Sequence, residues 1–178
     1  MGAGGYMPHK AAINVDPFRV NEGDVQAFGE FLPFKDNCAD AVLCTGVLEH
    51  VPDPHQLIKE MHRVLKVGGI VYVEIPFLQP FHAAPHDYQR VTLYGLKEMF
   101  KEFKEIETGI AGGPGSAVSW ILIEYVTMIV RPRILARLAR YITQVFTSIL
   151  PRLDPWLIKS ENAHYLASGL YFKGQKTI

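Results

Sequence analysis

The chain has 178 residues, of which 48% are hydrophobic, and 18 basic side chains balance 18 acidic ones. This length suits one domain with a sizeable apolar core and leaves no room for a second full domain. The zero net charge argues against a nucleic-acid partner, because phosphate recognition requires a strong local excess of positive charge.

The cysteines and the apolar runs bear on location. Cys38 and Cys44 lack the spacing of a metal site and are typical of reduced thiols in a cytoplasmic protein. No N-terminal segment has the basic-then-apolar form of a signal peptide. The longest apolar run, 117–130, is too short to span a bilayer and contains Glu124. These features predict a cytoplasmic protein, and a later segment leaves membrane association open.

The first half of the chain predicts alternating strands and helices. Residues 11–15 and 39–45 are short apolar runs of the kind found in strands buried on both faces. Asp53 and Pro54 then predict a helix start, and apolar residues recur at helical spacing until Lys66 and Gly68-Gly69, where the helix is predicted to end. Residues 70–77 follow as the next strand. This order predicts a right-handed crossover in a doubly wound α/β sheet.

The second half adds further elements. Residues 92–103 predict a helix capped by Thr92, followed by a strand near 103–110. A glycine-rich break at 109–115 precedes one or two long helices over 116–149, interrupted at Arg131-Pro132. Residues 165–173 alternate like a final strand, antiparallel at the sheet edge. We therefore expect a single domain over 1–178 with a helical insert at 116–158.

The order of these signals resembles the class I S-adenosylmethionine-dependent methyltransferases of the small-molecule type. The blocks that carry the resemblance read "LPFKDNCADAV" and "LEHVPDPHQLIKEMHRVLKVGG", within roughly the first hundred residues. As an ordered set they are specific, whereas any one alone is weak. The resemblance implies a Rossmann-like, mainly parallel sheet with helices on both faces. It also implies that S-adenosylmethionine lies across the carboxyl ends of the strands.

The resemblance further implies a set of cofactor-binding residues. The family's glycine motif falls on "GAGG", where Gly2 and Gly4 would let the backbone approach the methionine part of the cofactor, and a floppy tail is the alternative. The ribose-binding acid falls at Asp16, because a carboxylate accepts two hydroxyl hydrogen bonds, and a simple Asp-Pro turn is the alternative. Three consecutive positions at the end of the second buried strand complete this set: Cys44, Thr45 and Gly46.

The adenine-binding position departs from the family pattern. Just before "LPF" the family usually carries an acid that binds the adenine amino group, and here Phe28 stands at that position. Phe28 either walls the adenine or packs in the core, and the core is favoured. Gly29 and Glu30 remain as candidates for contacts to the base.

Some relatives bind a divalent metal through an E-x-x-E-H motif. Here Gly46 replaces the first acid and removes one ligand, so we predict no metal site, although His82, His86 and Asp87 keep that option open. His50 is instead a candidate general base near the methyl acceptor, because imidazole suits proton transfer at neutral pH. Capping or packing at the rim of the cleft, where Glu49 and His50 are expected to project, is an equal alternative.

The loop "PFHAAPHDYQRVT" follows the last main parallel strand and should cover the acceptor side of the cleft. Its candidate acceptor-side residues are His82, His86 and Tyr88. The alternative is a polar bridge that ties the loop to the sheet.

The helical insert has a different character. An apolar stripe is bordered by arginines at helical spacing, with the stripe at Ile134, Leu138, Tyr141, Ile142, Val145 and Ile149 and the border at Arg133, Arg137 and Arg140. Such a helix normally buries its stripe against its own domain. Because the preceding run is apolar nearly all round, a peripheral membrane contact through 116–150, or a hydrophobic lid over an amphiphilic acceptor, has near-equal weight. Trp120 and Trp156 suit a membrane boundary or a core.

The glycine motif begins directly after Met1, so the family's central first strand has no residues in this sequence. Its absence predicts a gap in the sheet with unsatisfied backbone groups on both sides. A truncated product or a misassigned start is the favoured explanation.

These features together predict methyl transfer from S-adenosylmethionine to a small or lipid-like acceptor, by direct displacement in which positioning supplies most of the acceleration. A degenerate membrane-associated or partner-binding module is the alternative, favoured by Phe28, Gly46 and the absent strand. A nicotinamide-dependent oxidoreductase would share the sheet and the acid, but would give "LEHVPDP" and "RVLKVGG" no role. The residues carry no signal for the acceptor atom or the oligomeric state.

Overall fold

The computed structural model describes residues 12–18, 25–83 and 85–177. In chain order its strands and helices are β1 (Val15–Asp16), β2 (Val25–Gln26), β3 (Ala39–Thr45), α1 (Pro54–Val64), β4 (Leu65–Pro76), α2 (Leu93–Met99), β5 (Lys104–Gly112), α3 (Pro114–Ile129), α4 (Arg133–Thr147), α5 (Asp154–Leu157) and β6 (Gly169–Gln175). Short 3-10 turns lie at Leu48–His50, Pro151–Leu153 and Ala163–Tyr165. The predicted α/β fold is confirmed.

Four strands form the main sheet in the order β3-β4-β6-β5. β3 and β4 are parallel, with Cys44 opposite Val73 and Thr45 opposite Glu74. β6 runs antiparallel to β4, because Lys176 bonds to the start of β4 and Ser168 bonds just beyond its end. The final strand is thus antiparallel, as predicted, and the strand order places it between β4 and β5.

β1 and β2 form a separate parallel pair, with Val15 opposite Val25. A core cluster in which Val15 and Leu32 are joined by Val64 of α1 covers this pair. In the described ranges the ladder between the two sheets is interrupted. The described strands therefore form two separate sheets.

The crossover helix α1 begins as predicted and ends early. Asp53 Oδ1 accepts a hydrogen bond from Gln56 N at 3.0 Å, and Pro54 opens the first turn. The helix ends at Val64, and Leu65 already belongs to β4, so the predicted helix end at Lys66 to Gly69 is wrong. Gly68 has a φ of +84°, so this glycine serves an irregular start of β4 and not a helix stop.

The prediction for α2 is likewise right at the start of the helix and wrong at its end. Thr92 Oγ1 accepts from Gly95 N at 3.2 Å, which confirms the predicted cap. The helix ends at Met99, four residues before the predicted boundary, and β5 then begins at Lys104. Phe100 and Phe103 are instead buried in the core, where the Phe100 ring stacks on Phe172 of β6 at 4.9 Å. Burial of these rings competes with continuation of the helix.

The described residues divide into two compact units. One comprises the described residues up to Ile75, together with 83–108 and 171–177, leaving out 84, which is not described. The other comprises Pro76–His82 and Gly109–Leu170. The predicted interruption at Arg131-Pro132 is confirmed, since α3 ends and α4 begins on either side of it. None of the helices in the described ranges has the length and apolar character needed to cross a membrane.

The glycine-rich break before α3 is explained by Asp154. Its carboxylate accepts from Gly115 N at 2.6 Å and from Ser116 Oγ at 2.6 Å, which caps the start of α3. A Cβ atom on Gly113 would lie 2.4 Å from Asp154 Oδ1. The glycines therefore make room for this cap.

Candidate active site

The end of β3 is turned sharply by Gly46. Its N–H donates to Glu74 O at 3.1 Å, so the ladder with β4 extends one residue beyond Thr45. Gly46 then adopts a φ of +64°, a conformation that costs L side chains backbone strain. This reversal leads directly into the 3-10 turn Leu48–His50.

Glu49 lies inside the protein, so the prediction that it projects at the rim is wrong. The residue is 1% exposed, and its Oε1 lies 3.8 Å from Nε2 of His50. Its carbonyl oxygen accepts from Tyr88 N at 2.7 Å.

His50 is held in one orientation by a backbone contact. Its Nδ1 lies 2.5 Å from the carbonyl oxygen of His86. Because a carbonyl oxygen only accepts hydrogen bonds, we assign the ring proton to Nδ1. The basic nitrogen of the neutral ring is then Nε2, on the side of Glu49. This pair has the chemistry of a general base supported by a carboxylate.

Polar contacts fasten the loop around Tyr88 to the same turn. Gln89 Nε2 donates to Leu48 O at 2.8 Å, next to the bond from Tyr88 N. Asp87, whose side chain is 2% exposed, accepts from Arg90 Nη2 at 2.6 Å. These contacts support a polar bridge for residues 87, 89 and 90.

The backbones of two predicted acceptor-side residues, His86 and Tyr88, contact His50 and Glu49. The His86 and Tyr88 rings are 5.5 Å apart, and both residues are exposed. Their role toward an acceptor stays a prediction. His82 falls in the second compact unit, where its Nδ1 lies 3.4 Å from Pro80 O, and its role also stays a prediction.

Cys44 and Thr45 occupy the last positions of β3. Burial raises the pKa of the Cys44 thiol to about 12, and the nearby Glu49 carboxylate acts in the same direction. The thiol is therefore protonated at neutral pH and is not a nucleophile. Thr45 is half-buried, so the strand end offers mainly backbone to a ligand.

Asp16 ends β1. Its Oδ1 accepts from Phe18 N at 2.8 Å, which supports the turn that the sequence offered as an alternative. A carboxylate has about four acceptor positions, so the turn and a role toward ribose hydroxyls are compatible. Asp16 thus remains a candidate for the cofactor.

The core alternative for Phe28 is wrong. Phe28 is 58% exposed and meets Phe18 edge to face, with the ring centroids 6.4 Å apart. The chain turns here, since Phe31 N donates to Phe28 O at 3.1 Å, and this turn includes Gly29. Glu30 O accepts from Gln56 Nε2 at 3.2 Å. Gly2 and Gly4 lie outside the described residues.

Sequence reasoning missed two parts of this site. The adjacency of Glu49 and His50 in "LEH" indicates that they can pair, but nothing in the sequence indicates that the acid is buried. The contact of Gln89 with Leu48 joins residues 41 positions apart and has no local signal.

Comparisons with known proteins give a consistent class. The family described as "Methyltransferase domain" matches residues 8–73. Uncharacterized methyltransferases of Mycobacterium leprae and Mycobacterium tuberculosis are each 48% identical over 58 residues, which is 32% of this chain. The match spans less than a quarter of the length of those relatives, 22% and 23%.

Two solved structures share the fold at low identity. One is a SAM-dependent methyltransferase of Thermotoga maritima, described as a possible histamine N-methyltransferase, with TM-score 0.54 and 17% identity over 93% of this chain and 72% of that one. The other is the 1,6-didemethyltoxoflavin-N1-methyltransferase of Burkholderia thailandensis, with TM-score 0.55 and 14% identity over 93% of this chain and 61% of that one. This chain thus shares the fold of these two methyltransferases, and its residues 8–73 match the methyltransferase-domain family.

Proposed function

We propose that this chain is an S-adenosylmethionine-dependent methyltransferase that acts on a small or lipid-like acceptor. The observation that carries the proposal is the parallel β3–α1–β4 crossover, which holds about half of the family-matched segment and whose first strand leads through Gly46 to Glu49 and His50. The similar structure from Burkholderia thailandensis has S-adenosylhomocysteine bound. That molecule is the demethylated form of the proposed cofactor.

The described residues fit such a cofactor at three points. Asp16 would accept from the ribose hydroxyls, and the backbone from Cys44 to Gly46 would line the methionine side. The exposed ring of Phe28 is available to stack on the adenine, in place of the family's acid. Gly29 and Glu30, in the same turn, would complete the base contacts.

When bound, the cofactor supplies a methyl group on a positively charged sulfur, which an acceptor displaces in one step. The chain's own residues position the acceptor and take its proton. His50 Nε2 accepts that proton, and the Glu49 carboxylate stabilises the resulting imidazolium. His86 and Tyr88 are proposed to flank the acceptor, since their backbones contact His50 and Glu49 and their rings lie 5.5 Å apart. His82 is proposed for the acceptor side on its loop position alone.

We place this activity in the cytoplasm. Cys38 and Cys44 are both free thiols, one exposed and one buried, as expected in a reducing compartment.

Titration calorimetry with S-adenosylmethionine and with NADH tests the proposal, on this chain and on a form extended upstream. We expect saturable binding of the former alone. Asp16→Asn should weaken it about tenfold or more, because a charged acceptor is lost. Asp40→Asn is the matched control, since the Asp40 side chain is 86% exposed and pairs only at the surface with Lys66.

The other outcomes are decisive against the proposal. Folded protein that binds neither ligand, in both lengths, would support the degenerate module. Binding of NADH alone would support the oxidoreductase. Binding of S-adenosylmethionine with equal affinity in Asp16→Asn would remove Asp16 from the site.

A further inference from the structure

Helices α3 and α4 of the second unit pack against each other through small and polar side chains. Ser119 Oγ of α3 donates to Thr147 Oγ1 of α4 at 2.9 Å, and both residues are buried. Arg140 Nη1 of α4 donates to Glu124 Oε1 of α3 at 2.8 Å. The seam between the helices therefore satisfies polar groups and uses few of the large apolar side chains.

The apolar stripe of α4 lies on the side opposite this seam. Arg140 and Thr147, seven residues apart on α4, both contact α3. Ile134 and Phe146 belong to the other side of the helix and are 80% and 78% exposed. The expectation that such a helix buries its stripe against its own domain is therefore wrong for α4.

Helix α3 has the same inverted arrangement. Ser119 and Ile123 are buried, whereas Ile121, Tyr125 and Met128 are exposed. A helix at the surface of a water-soluble domain normally shows the reverse distribution. Exposed apolar side chains concentrated on a pair of packed helices mark an interaction site. We call the exposed apolar residues of α3 and α4 the hairpin surface.

The charges around the hairpin surface indicate what it contacts. Residues 114–158 contain five arginines and two acids, a net charge of +3, in a chain whose total is +0. One acid is bound by Arg140, and the other, Asp154, caps α3. Arg131, Arg133 and Arg137 are exposed. A positively charged border around an apolar face is complementary to an anionic lipid surface.

We propose that the hairpin surface docks this protein on anionic bilayers, with α3 and α4 lying in the plane of the interface. The helices have 16 and 15 residues, or about 24 and 22 Å at 1.5 Å per residue. Each is shorter than the roughly 20 residues that span a bilayer. Trp156, 73% exposed, is suited to the headgroup region. This proposal rests on the helices alone and holds whether or not the chain transfers methyl groups.

Vesicle flotation without S-adenosylmethionine tests the docking directly. We expect the protein to float with vesicles of phosphatidylcholine and phosphatidylglycerol at 3:1, and much less with phosphatidylcholine alone or in high salt. Ile134→Glu combined with Phe146→Glu should lower binding more than about tenfold, because both side chains would enter the apolar layer as charges. Tyr94→Glu is the matched control, since Tyr94 is equally exposed but lies on α2 of the first unit.

The arginines give a second, independent variant. Arg133→Gln combined with Arg137→Gln should lower binding to the anionic vesicles about fivefold per arginine and leave binding to neutral vesicles unchanged. Both positions are exposed, so circular dichroism should show the wild-type fold.

Three results would overturn the proposal. The first is wild-type protein that stays unbound with both vesicle types. The second is an Ile134→Glu, Phe146→Glu variant that floats as well as the wild type but binds S-adenosylmethionine more weakly. That result would indicate that the hairpin surface is a lid over the cofactor site. The third is conversion of a dimer to a monomer by the same variant without any change in flotation, which would assign it to a second copy of the chain.

Discussion

The position of His50 depends on the conformation of one glycine. Gly46 carries the chain from β3 into the turn that contains His50, and it does so with a φ of +64°. A Cβ atom there would lie 3.6 Å from Glu49 Oε1, which is ordinary contact, so the cost of a side chain is backbone strain and not a clash.

We predict that Gly46→Ala lowers the free energy of unfolding by about 1–2 kcal/mol, because alanine resists the left-handed conformation. Gly46→Asn should lose less, since asparagine tolerates that conformation better. Urea titration measures both. Gly68→Ala is the control, with a φ of +84° and open space around its Cβ, and it should behave like Gly46→Ala. Equal stability of Gly46→Ala and the wild type would show that the turn relaxes.

The ion pair of Asp87 and Arg90 fastens the loop that faces His50. We predict that Arg90→Ala lowers the free energy of unfolding by about 3 kcal/mol, because it leaves the buried Asp87 carboxylate without the guanidinium. Lys101→Ala breaks an exposed pair with Glu98 and should leave stability nearly unchanged. Denaturant unfolding of the two variants compares them directly, and similar losses would mean that burial of Asp87 does not matter.

Helix α1 is tied to the preceding loop by one basic residue. Arg63 Nη1 donates to Phe34 O at 2.7 Å, and its Nη2 donates to Leu32 O at 3.0 Å. Glu60 Oε2 accepts from Leu32 N at 2.8 Å and from Arg63. The loop that carries "LPF" therefore takes its shape from a helix that follows it in the chain.

This arrangement predicts an acid-dependent loss of stability. The hydrogen bond from Arg63 holds the pKa of Glu60 below its ordinary value. A lowered native pKa stabilises the fold above the unfolded pKa of about 4.3, and that contribution is lost as the pH falls through the native pKa. The stability difference between wild type and Glu60→Gln should therefore be largest near neutral pH and shrink below about pH 4.3. Unfolding of both proteins measured against pH tests this expectation, and a difference that stays constant from neutral pH to below about pH 4.3 would contradict it.

At the scale of the whole molecule, the two cysteines lie in different environments. Cys38 is exposed just before β3, and Cys44 is fully buried near its end. The reactivity of the two thiols can therefore be compared at the start and near the end of the same strand, one at the surface and one in the core.

We predict that one thiol per molecule reacts promptly with a disulfide reagent under native conditions. Cys44 should react only through opening of the core, because burial raises its pKa to about 12 and excludes the reagent. The Cys38→Ser variant isolates this slow phase, whose rate should rise with urea. Prompt labelling of Cys44 in folded protein would contradict the burial of this side chain.

Local signals predicted the starts of elements better than their ends. Asp53 and Thr92 are recognisable as caps from their residue types. In the structure each side chain accepts a hydrogen bond from the backbone N–H three residues later. Gly68 was misread as a helix stop, since a glycine with positive φ serves a strand irregularity equally well. The exposure of Phe28 and the burial of Glu49 were also missed, because both depend on residues distant in the chain.

The position of β6 has a consequence during synthesis of the protein. β5 joins the main sheet through β6, and residues 113–168 separate these two strands in the chain. While the ribosome is still producing the helical segment, β5 has left the exit tunnel without the neighbour that links it to β4. Until residues 169–175 emerge, the backbone N–H and C=O groups on that side of β5 form hydrogen bonds with water or with transient partners. Docking of that strand is therefore the late step that closes the sheet, and a stall in translation before it would expose β5 to chaperones and to aggregation.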